Sequence, residues 1–324
     1  MPMRTDLANA RQAFLANPGD DALLPIVDAH HHFWAVPENP HHWLTRLPRI
    51  PFRYGDYEAI CKDFLPADYA HARREHLVLR HVVMEGEWNS ADPLGESLWM
   101  HGLAQREGVP HAMAAQIWLD RDDVAAVLAR YTQGPLAGFV RSVRHKPRVL
   151  GRGEPRSQIA VPGSMRCPRW RAGYAQVAAS GLMFELQAPW WHMDEAVELA
   201  RDFAGTRMVV NHAGLPAQRD ADSLREWEHA MRQLAQCPNV VVKLSGLGVP
   251  GQAWTEPLQS GVVLPLLDAF GTSRCLFATN FPVDSLVADM STIWSVFKAL
   301  TRHLTAQERL ALFCDNAVAL YGLE

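Results

Sequence analysis

The amino-acid sequence predicts an α/β fold in which eight parallel strands close into a (β/α)8 (TIM) barrel. Eight short apolar runs, each bounded by turn residues, alternate with amphipathic stretches along the 324 residues. Several runs are almost continuously apolar, as expected of strands buried on both faces of a parallel sheet. Eight such units favour a closed barrel over an open sheet, and we expect a single domain over residues 1–324.

The predicted strands are separated by segments long enough to hold a helix or a loop. They lie at 25–30, 77–86, 111–119, 136–145, 182–187, 207–214, 239–246 and 274–282. Three intervening stretches, at 122–133, 193–204 and 223–236, have the apolar spacing of amphipathic helices and open near capping residues. We expect the C-terminal residues 295–324 to be helical throughout and to pack on the outside of the barrel.

Three segments depart from this alternation of strands and helices. An extension covers about residues 1–22, a stretch rich in proline and histidine covers 35–62, and a stretch rich in arginine, proline and glycine covers 146–168. Long loops in a compact domain usually line or cover a binding site. The two internal segments are therefore predicted to act as lids or binding loops.

The composition is that of an ordinary globular protein, with 48% hydrophobic and 20% charged residues and a net charge of -4. Acidic and basic residues are interspersed, so no basic surface for nucleic acid or anionic lipid is expected. No uncharged run approaches the ~20 residues of a membrane span. The five scattered cysteines indicate reduced thiols and a cytoplasmic location. The expected partner is a small-molecule substrate, and self-association into a homo-oligomer is left open.

Polar residues gather near the carboxyl ends of the predicted strands. In a parallel barrel these ends meet at one face, where TIM-barrel enzymes carry their active sites. Burying polar groups without partners is costly, so their concentration at one face predicts a functional site. The residues are His30, His32, Glu85, Arg141, Arg144, Gln187, His212, Lys243, Asn280 and Asp284.

Three consecutive histidines follow the first strand, in "IVDAHHHFW". His30 and His32 are one residue apart on an extended chain, so both side chains point the same way, whereas His31 points oppositely and is expected to be structural. This spacing suits two imidazoles that bind one metal ion or one substrate, with His212 joining from another strand end. The alternative is a pair of loop histidines with no role beyond their own hydrogen bonds.

Four segments, "VDAHHHFW", "VVNHAGLP", "VVKLSGLG" and "LFATNFPVD", resemble the amidohydrolase superfamily. The resemblance is to its lactonase-like branch, which includes L-fuconolactonase, sulfomuconolactonase-type enzymes and pyrone dicarboxylate lactonase. It extends from about residue 25 to the C-terminus and implies a distorted (β/α)8 barrel that hydrolyses a cyclic ester. It also places His30 and His32 in the first-strand HxH motif, His212 at the sixth-strand histidine, and substrate-binding basic residues near Arg141, Arg144 or Lys243.

The sequence departs from this family pattern at the last strand. The family usually has an aspartate there, as metal ligand or general base, and here the position is Asn280. An amide cannot take a proton from water, and losing a positioned base typically costs about 10²- to 10⁴-fold in rate. Asp284 or Glu85 would have to replace it, with Asn280 orienting water or a substrate carbonyl. The carboxylated lysine that bridges two metal ions in the superfamily has no obvious counterpart here. We therefore expect either one divalent ion, zinc or manganese, or no metal.

The predicted activity is hydrolysis of a lactone ring in a small anionic substrate from sugar or aromatic catabolism. His30, His32 and His212, with Glu85 as a weaker fourth ligand, would hold a metal that activates water; without metal the histidines would stabilise the oxyanion. Arg141, Arg144, Lys243 and Gln187 are candidate substrate-binding residues, and Trp34 and Trp88 are expected to line the mouth of the pocket. For the two arginines the alternative is ion pairing with acids such as Glu185.

Two functions of other classes also fit the sequence. A decarboxylase or carbon–carbon lyase uses the same HxH motif and distant histidine in related barrels, and carbon dioxide release would identify it. A non-catalytic binding protein is suggested by Asn280, and ligand binding without turnover, unchanged by Asn280→Asp, would favour it.

Overall fold

The computed structural model describes residues 6–154 and 161–324; residues 1–5 of the predicted extension and 155–160 of the predicted loop lie outside the described residues. Within the described ranges, eight parallel strands are hydrogen-bonded in sequence order. This confirms the predicted (β/α)8 class. The strands are β1 Ile26–His31, β2 Val78–Met84, β3 Ala112–Gln116, β4 Val140–Arg144, β5 Met183–Leu186, β6 Met208–Val210, β7 Val240–Leu244 and β8 Cys275–Phe277.

The barrel closes where the end of β1 meets the chain that follows β8. The Asn280 N–H donates to the His30 carbonyl at 2.7 Å, and the His32 N–H donates to the Phe281 carbonyl at 2.7 Å. β6 and β8 are shorter than predicted because the chain turns sharply beyond them, with His212 at φ 54° and Asn280 at φ 56°. These left-handed residues aim side chains into the space above the barrel.

The helices surround the sheet in alternation with the strands. They are α1 Leu7–Ala16, α2 His42–Thr45, α3 Pro66–Ala72, α4 Gly95–Glu107, α5 Val124–Thr132, α6 Pro168–Ser180, α7 Met193–Asp202, α8 Ala221–Ala235, α9 Glu256–Phe270, α10 Met290–Leu300, α11 Ala306–Leu310 and α12 Asn316–Tyr321. In the described ranges, no helix has the length and apolar character needed to span a membrane. All five cysteines are free thiols.

The C-terminal segment differs from the prediction in two ways. The helical segment is interrupted between α10 and α11. There the Thr305 side chain accepts a hydrogen bond from the Glu308 N–H, and the Glu308 side chain accepts one from the Thr305 N–H. α12 also covers the amino-terminal end of the barrel rather than its outside, and the Tyr321 hydroxyl donates to Glu185 Oε1 at 2.5 Å. The physical reason is a set of inward apolar barrel residues, such as Val27, that packs against α12.

The predicted loop 35–62 is packed rather than irregular. It contains α2 and a short 3-10 helix at Glu58–Ile60. Trp34, Leu44, Tyr57 and Ile60 form a buried apolar cluster with residues that follow β8. This cluster holds the loop over the carboxyl-terminal end of the barrel, where the strand-end polar residues lie. We call residues 35–62 the covering loop.

Candidate active site

A cavity of about 340 Å³ opens at the carboxyl-terminal end of the barrel. Its volume lies in the range of small-ligand sites. From the strand ends, His32, Arg144, Gln187, His212 and Asn280 line it. From the covering loop, Trp43, Ile50, Pro51, Phe52 and Arg53 line it, and Trp34 joins them from the segment after β1. The cavity is therefore polar on the barrel side and largely aromatic on the loop side.

His30, His32 and His212 lie together beneath this cavity. The ring centroid of His30 is 5.4 Å from that of His32 and 4.5 Å from that of His212. His30 is fully buried, and neither of its ring nitrogens has a hydrogen-bond partner among the described residues. A buried polar atom without a partner calls for an explanation, and one explanation is a bound group that completes the site.

Burial lowers the pKa of all three imidazoles well below its usual value, and neighbouring positive charges lower it further: Arg144 for His32 and Arg53 for His212. The rings are therefore neutral at neutral pH. His32 Nδ1 lies 3.2 Å from the Met84 carbonyl, which only accepts, so Nδ1 carries the proton and Nε2 carries a lone pair. His212 Nδ1 lies 3.0 Å from Ser245 Oγ.

Neutral imidazoles are suitable metal ligands when three or four donors surround one position. In residues 6–154 and 161–324, no three His, Cys, Asp or Glu side chains are placed to hold one ion together. Asn280 also contributes an amide where a carboxylate would supply charge. As arranged, these side chains do not fit the metal site predicted from the sequence.

Glu85 is not placed to act as the predicted base or ligand. Its Oε1 accepts from Arg144 Nε at 2.5 Å, and its carbonyl accepts from Arg144 Nη2 at 2.6 Å. Burial raises the pKa of Glu85, but the charges of Arg144 and Lys146 outweigh it and bring the pKa to about 2. The carboxylate therefore stays ionised and is a weak base whose contact orients Arg144. This overturns the expectation for Glu85.

Asp284 has one property expected of a base, a raised pKa, although it is fully buried and does not itself line the cavity. It is buried behind Asn280, and burial raises its pKa to about 6, although Arg53, Asn280 and Tyr54 partly oppose the rise. Its Oδ1 accepts from the Tyr54 hydroxyl at 2.9 Å and from Asn280 Nδ2 at 2.6 Å. Its Oδ2 has no partner in the part of the chain that the structure describes. A carboxyl group with a pKa near neutrality is suited to general base catalysis.

Two predicted substrate-binding residues lie elsewhere. Arg141 is the extra residue of a bulge in β4, and its Nη2 donates to the Gly322 carbonyl at 3.4 Å, at the amino-terminal end of the barrel. Lys243 is fully buried inside the barrel, with Nζ 2.9 Å from Glu185 Oε2. Neither side chain lines the cavity. The expectation that they bind substrate is therefore wrong.

The two tryptophans predicted at the mouth also differ from each other. Trp34 lines the cavity and its Nε1 donates to the Lys62 carbonyl at 2.9 Å. Trp88 is packed against His41, with ring centroids 5.2 Å apart, and does not line the cavity. In its place Trp43 forms the wall, and its Nε1 donates to the Gly86 carbonyl at 2.8 Å.

Gln187 and Arg144 line the cavity together, and Gln187 Oε1 accepts from Arg144 Nη1 at 3.1 Å. Sequence reasoning missed Arg53 and Phe52 of the covering loop, and the pair Glu87 and Lys146 at the mouth. None of these four residues lies within a strand, so the alternation of strand side chains does not assign the direction of theirs. The concentration of proline and aromatic residues in 35–62 marked the loop, but not which of its side chains face the cavity.

The fold is that of an amidohydrolase barrel, with polar side chains gathered at the carboxyl ends of its strands. The sequence model of the amidohydrolase family matches residues 27–323, so the chain belongs to this family. It is 37% identical over 300 residues to an uncharacterized protein, y4mH, of Sinorhizobium fredii, covering 92% of this chain and 98% of that protein. It is 28% identical over 316 residues to an L-fucono-1,5-lactonase of Burkholderia multivorans, covering 92% and 96%.

Solved structures share the fold at lower sequence identity. An amidohydrolase from Burkholderia multivorans, crystallised with bound zinc, superposes with a TM-score of 0.75 at 21% identity, covering 92% of this chain and 99% of that one. A 2,6-dihydroxybenzoate decarboxylase from Rhizobium has a TM-score of 0.63 at 14% identity, covering 92% and 99%. The same barrel therefore accompanies different reactions in proteins of this shape.

Proposed function

We propose that this amidohydrolase opens the lactone ring of a small anionic substrate by hydrolysis. The observation that carries the proposal is the position of Asp284, with a pKa of about 6, behind a cavity whose floor holds the neutral rings of His32 and His212. A base poised near neutral pH beside uncharged hydrogen-bonding groups suits attack of water on an ester carbonyl. The L-fucono-1,5-lactonase relative supports the same reaction class.

Asp284 is the group that takes the proton from the attacking water in this proposal, and it returns that proton to the ring oxygen when the C–O bond of the lactone breaks. The Tyr54 hydroxyl and Asn280 Nδ2 both donate to its Oδ1 and so hold the carboxylate in one orientation. Because Asn280 Nδ2 faces Asp284, the Oδ1 of Asn280 is left as an acceptor toward the cavity that Asn280 lines. Asn280 thus orients water and positions the base, and does not replace it.

His32 helps to hold the attacking water, and His212 acts on the lactone carbonyl. The lone pair of His32 Nε2 accepts a hydrogen bond from water, because Nδ1 carries the ring proton. When the Ser245 hydroxyl donates to His212 Nδ1, His212 Nε2–H is free to donate to the lactone carbonyl oxygen. A donor placed where negative charge develops stabilises the oxyanion more than the ground state. No step of this mechanism requires a metal.

A screen of lactones under pH-stat control tests the proposal. Sugar 1,5-lactones and butenolides that carry a carboxylate are incubated with the wild-type chain and with Asp284→Asn, and ring-opened acid is quantified by chromatography. Acid production by the wild type but not by Asp284→Asn supports the proposal. Carbon dioxide release from aromatic acids would instead identify a decarboxylase, and saturable binding without product would identify a binding protein.

A further inference from the structure

Three basic side chains line the cavity: Arg53, Arg144 and Lys146. In Arg144 each of the three side-chain nitrogens already donates, to Glu85, Gln187 or Asn211. Lys146 forms an ion pair with Glu87 at the mouth of the cavity. Both charges are therefore matched by a carboxylate of the chain itself.

Arg53 is matched by a carboxylate through one nitrogen only. Its Nη2 donates to the Tyr54 hydroxyl at 2.8 Å and to Asp284 Oδ1 at 3.4 Å, whereas Nε and Nη1 have no hydrogen-bond partner among the described residues. Its side chain is 31% exposed while Asp284 is fully buried. The guanidinium also lies over the Tyr54 ring, 4.4 Å from its centroid, which restricts its orientation. Arg53 thus offers unpaired N–H groups from a fixed position on the cavity wall.

Arg53 and His212 border the same part of the cavity. A Cβ added to Gly246 would lie 2.7 Å from Arg53 Nη2 and 2.5 Å from His212 Nδ1. Both side chains therefore approach the backbone of one residue, which has φ 60° and must lack a side chain for them to do so. A ligand in contact with His212 lies within reach of the Arg53 guanidinium.

We propose that Arg53 binds a carboxylate of the substrate and thereby selects lactones that carry one, which rests on the function proposed above. The lactone carbonyl lies at His212, and the carboxylate accepts a hydrogen bond from Arg53 Nη1 or from Nε, whose N–H groups point to different sides of the guanidinium. Hydrogen bonds between a guanidinium and a carboxylate are charge-assisted and stronger than those to a neutral group. A neutral sugar lactone would leave the Arg53 N–H groups without that partner.

Two probes of equal size separate charge recognition from other effects: a butenolide with a carboxymethyl group, and its carboxamide analogue. We expect Arg53→Gln to raise KM for the carboxylate about 10- to 100-fold more than it raises KM for the carboxamide, because only the carboxylate loses a charge-assisted partner. Arg53→Lys should recover part of the loss. Arg46→Gln is the matched control, because Arg46 is an exposed arginine of the same loop that contacts His42 outside the cavity.

Four outcomes overturn the proposal. The first is an equal loss for both probes in Arg53→Gln, which would indicate a structural role through Tyr54 and Asp284. The second is loss of discrimination in Lys146→Gln instead, and the third is equal KM for the two probes in the wild type. The fourth is weak binding of both probes by the wild type. The first three leave lactone hydrolysis standing. If neither probe is hydrolysed, the proposed function fails for this ring, and calorimetric Kd values for the same probes and variants still report whether Arg53 recognises the carboxylate.

Discussion

Asn280 donates its side-chain amide to Asp284 Oδ1 at 2.6 Å, so the residue that replaces the expected aspartate holds the carboxylate that follows it by four residues. The chain turns through a left-handed residue at Asn280, and the Asp284 N–H donates to the Asn280 carbonyl at 3.1 Å. This turn brings the two side chains together. In the proposed mechanism the base is therefore displaced along the chain rather than lost.

Replacing the base is the most direct test of this arrangement. We expect Asp284→Asn to reduce kcat by about 10²- to 10⁴-fold, because the variant cannot accept the proton of the attacking water. The amide keeps an acceptor for Tyr54 and Asn280, so circular dichroism should match the wild type. In the wild type, kcat/KM should fall as pH drops below about 6, where Asp284 becomes protonated. Full activity in Asp284→Asn would exclude this carboxylate as the base.

Restoring the family's aspartate at position 280 is expected to lower the activity rather than to raise it. Asn280→Asp places a second carboxylate 2.6 Å from Asp284 Oδ1, and two such groups cannot both ionise without strong repulsion. We expect the acid limb of kcat/KM to move to higher pH and the activity at neutral pH to fall. The pH–rate profile of the variant measures this. An increase in activity at neutral pH would mean that residue 280 is itself the position of the base.

Metal removal separates the two mechanisms that the sequence left open. We expect dialysis against a chelator to leave kcat/KM unchanged, because no three His, Cys, Asp or Glu side chains in the part of the chain described are placed to hold one ion. Elemental analysis before and after dialysis provides the control that any metal has been removed. Loss of activity that added zinc restores would show that the side chains rearrange around an ion.

The sequence was sufficient to predict the barrel and the meeting of His30, His32 and His212, because parallel strands deliver their ends to one face whatever the details of packing. It did not reveal how deep along the barrel axis each side chain lies. Lys243 is paired with Glu185 inside the barrel and so is separated from the residues that line the cavity. It also did not reveal that Arg144 reaches across β3 to Glu85, which directly follows β2.

The covering loop was beyond sequence reasoning for a related reason. Whether Arg53 or Arg49 faces the cavity depends on how Tyr57 and Trp43 pack, and that packing involves residues distant in the chain. Arg49 is instead paired with Glu58 at the surface, with Nε 2.9 Å from Glu58 Oε2. A regular strand has a period that assigns its faces, whereas a loop has none.

The buried Asp284 also predicts how stability depends on pH. Its pKa is 3.8 in a solvated chain and about 6 in the folded protein. Between these values the folded state holds a proton that the unfolded state has released, so the free energy of unfolding falls as pH rises. The loss is complete above pH 6 and amounts to about 3 kcal/mol at roughly 1.4 kcal/mol per pH unit.

Asp284→Asn lacks this titration, so the comparison isolates it from the other groups that titrate over the same range. We expect the wild type to lose stability relative to the variant between pH 4.5 and pH 8, as measured by urea unfolding at each pH. The exposed Asp268→Asn should follow the wild-type curve, because its side chain is 71% accessible and lies outside the cavity. Parallel curves for the wild type and Asp284→Asn would mean that Asp284 ionises as readily in the folded protein as in the unfolded chain, and the base would then lack the raised pKa on which its assignment rests.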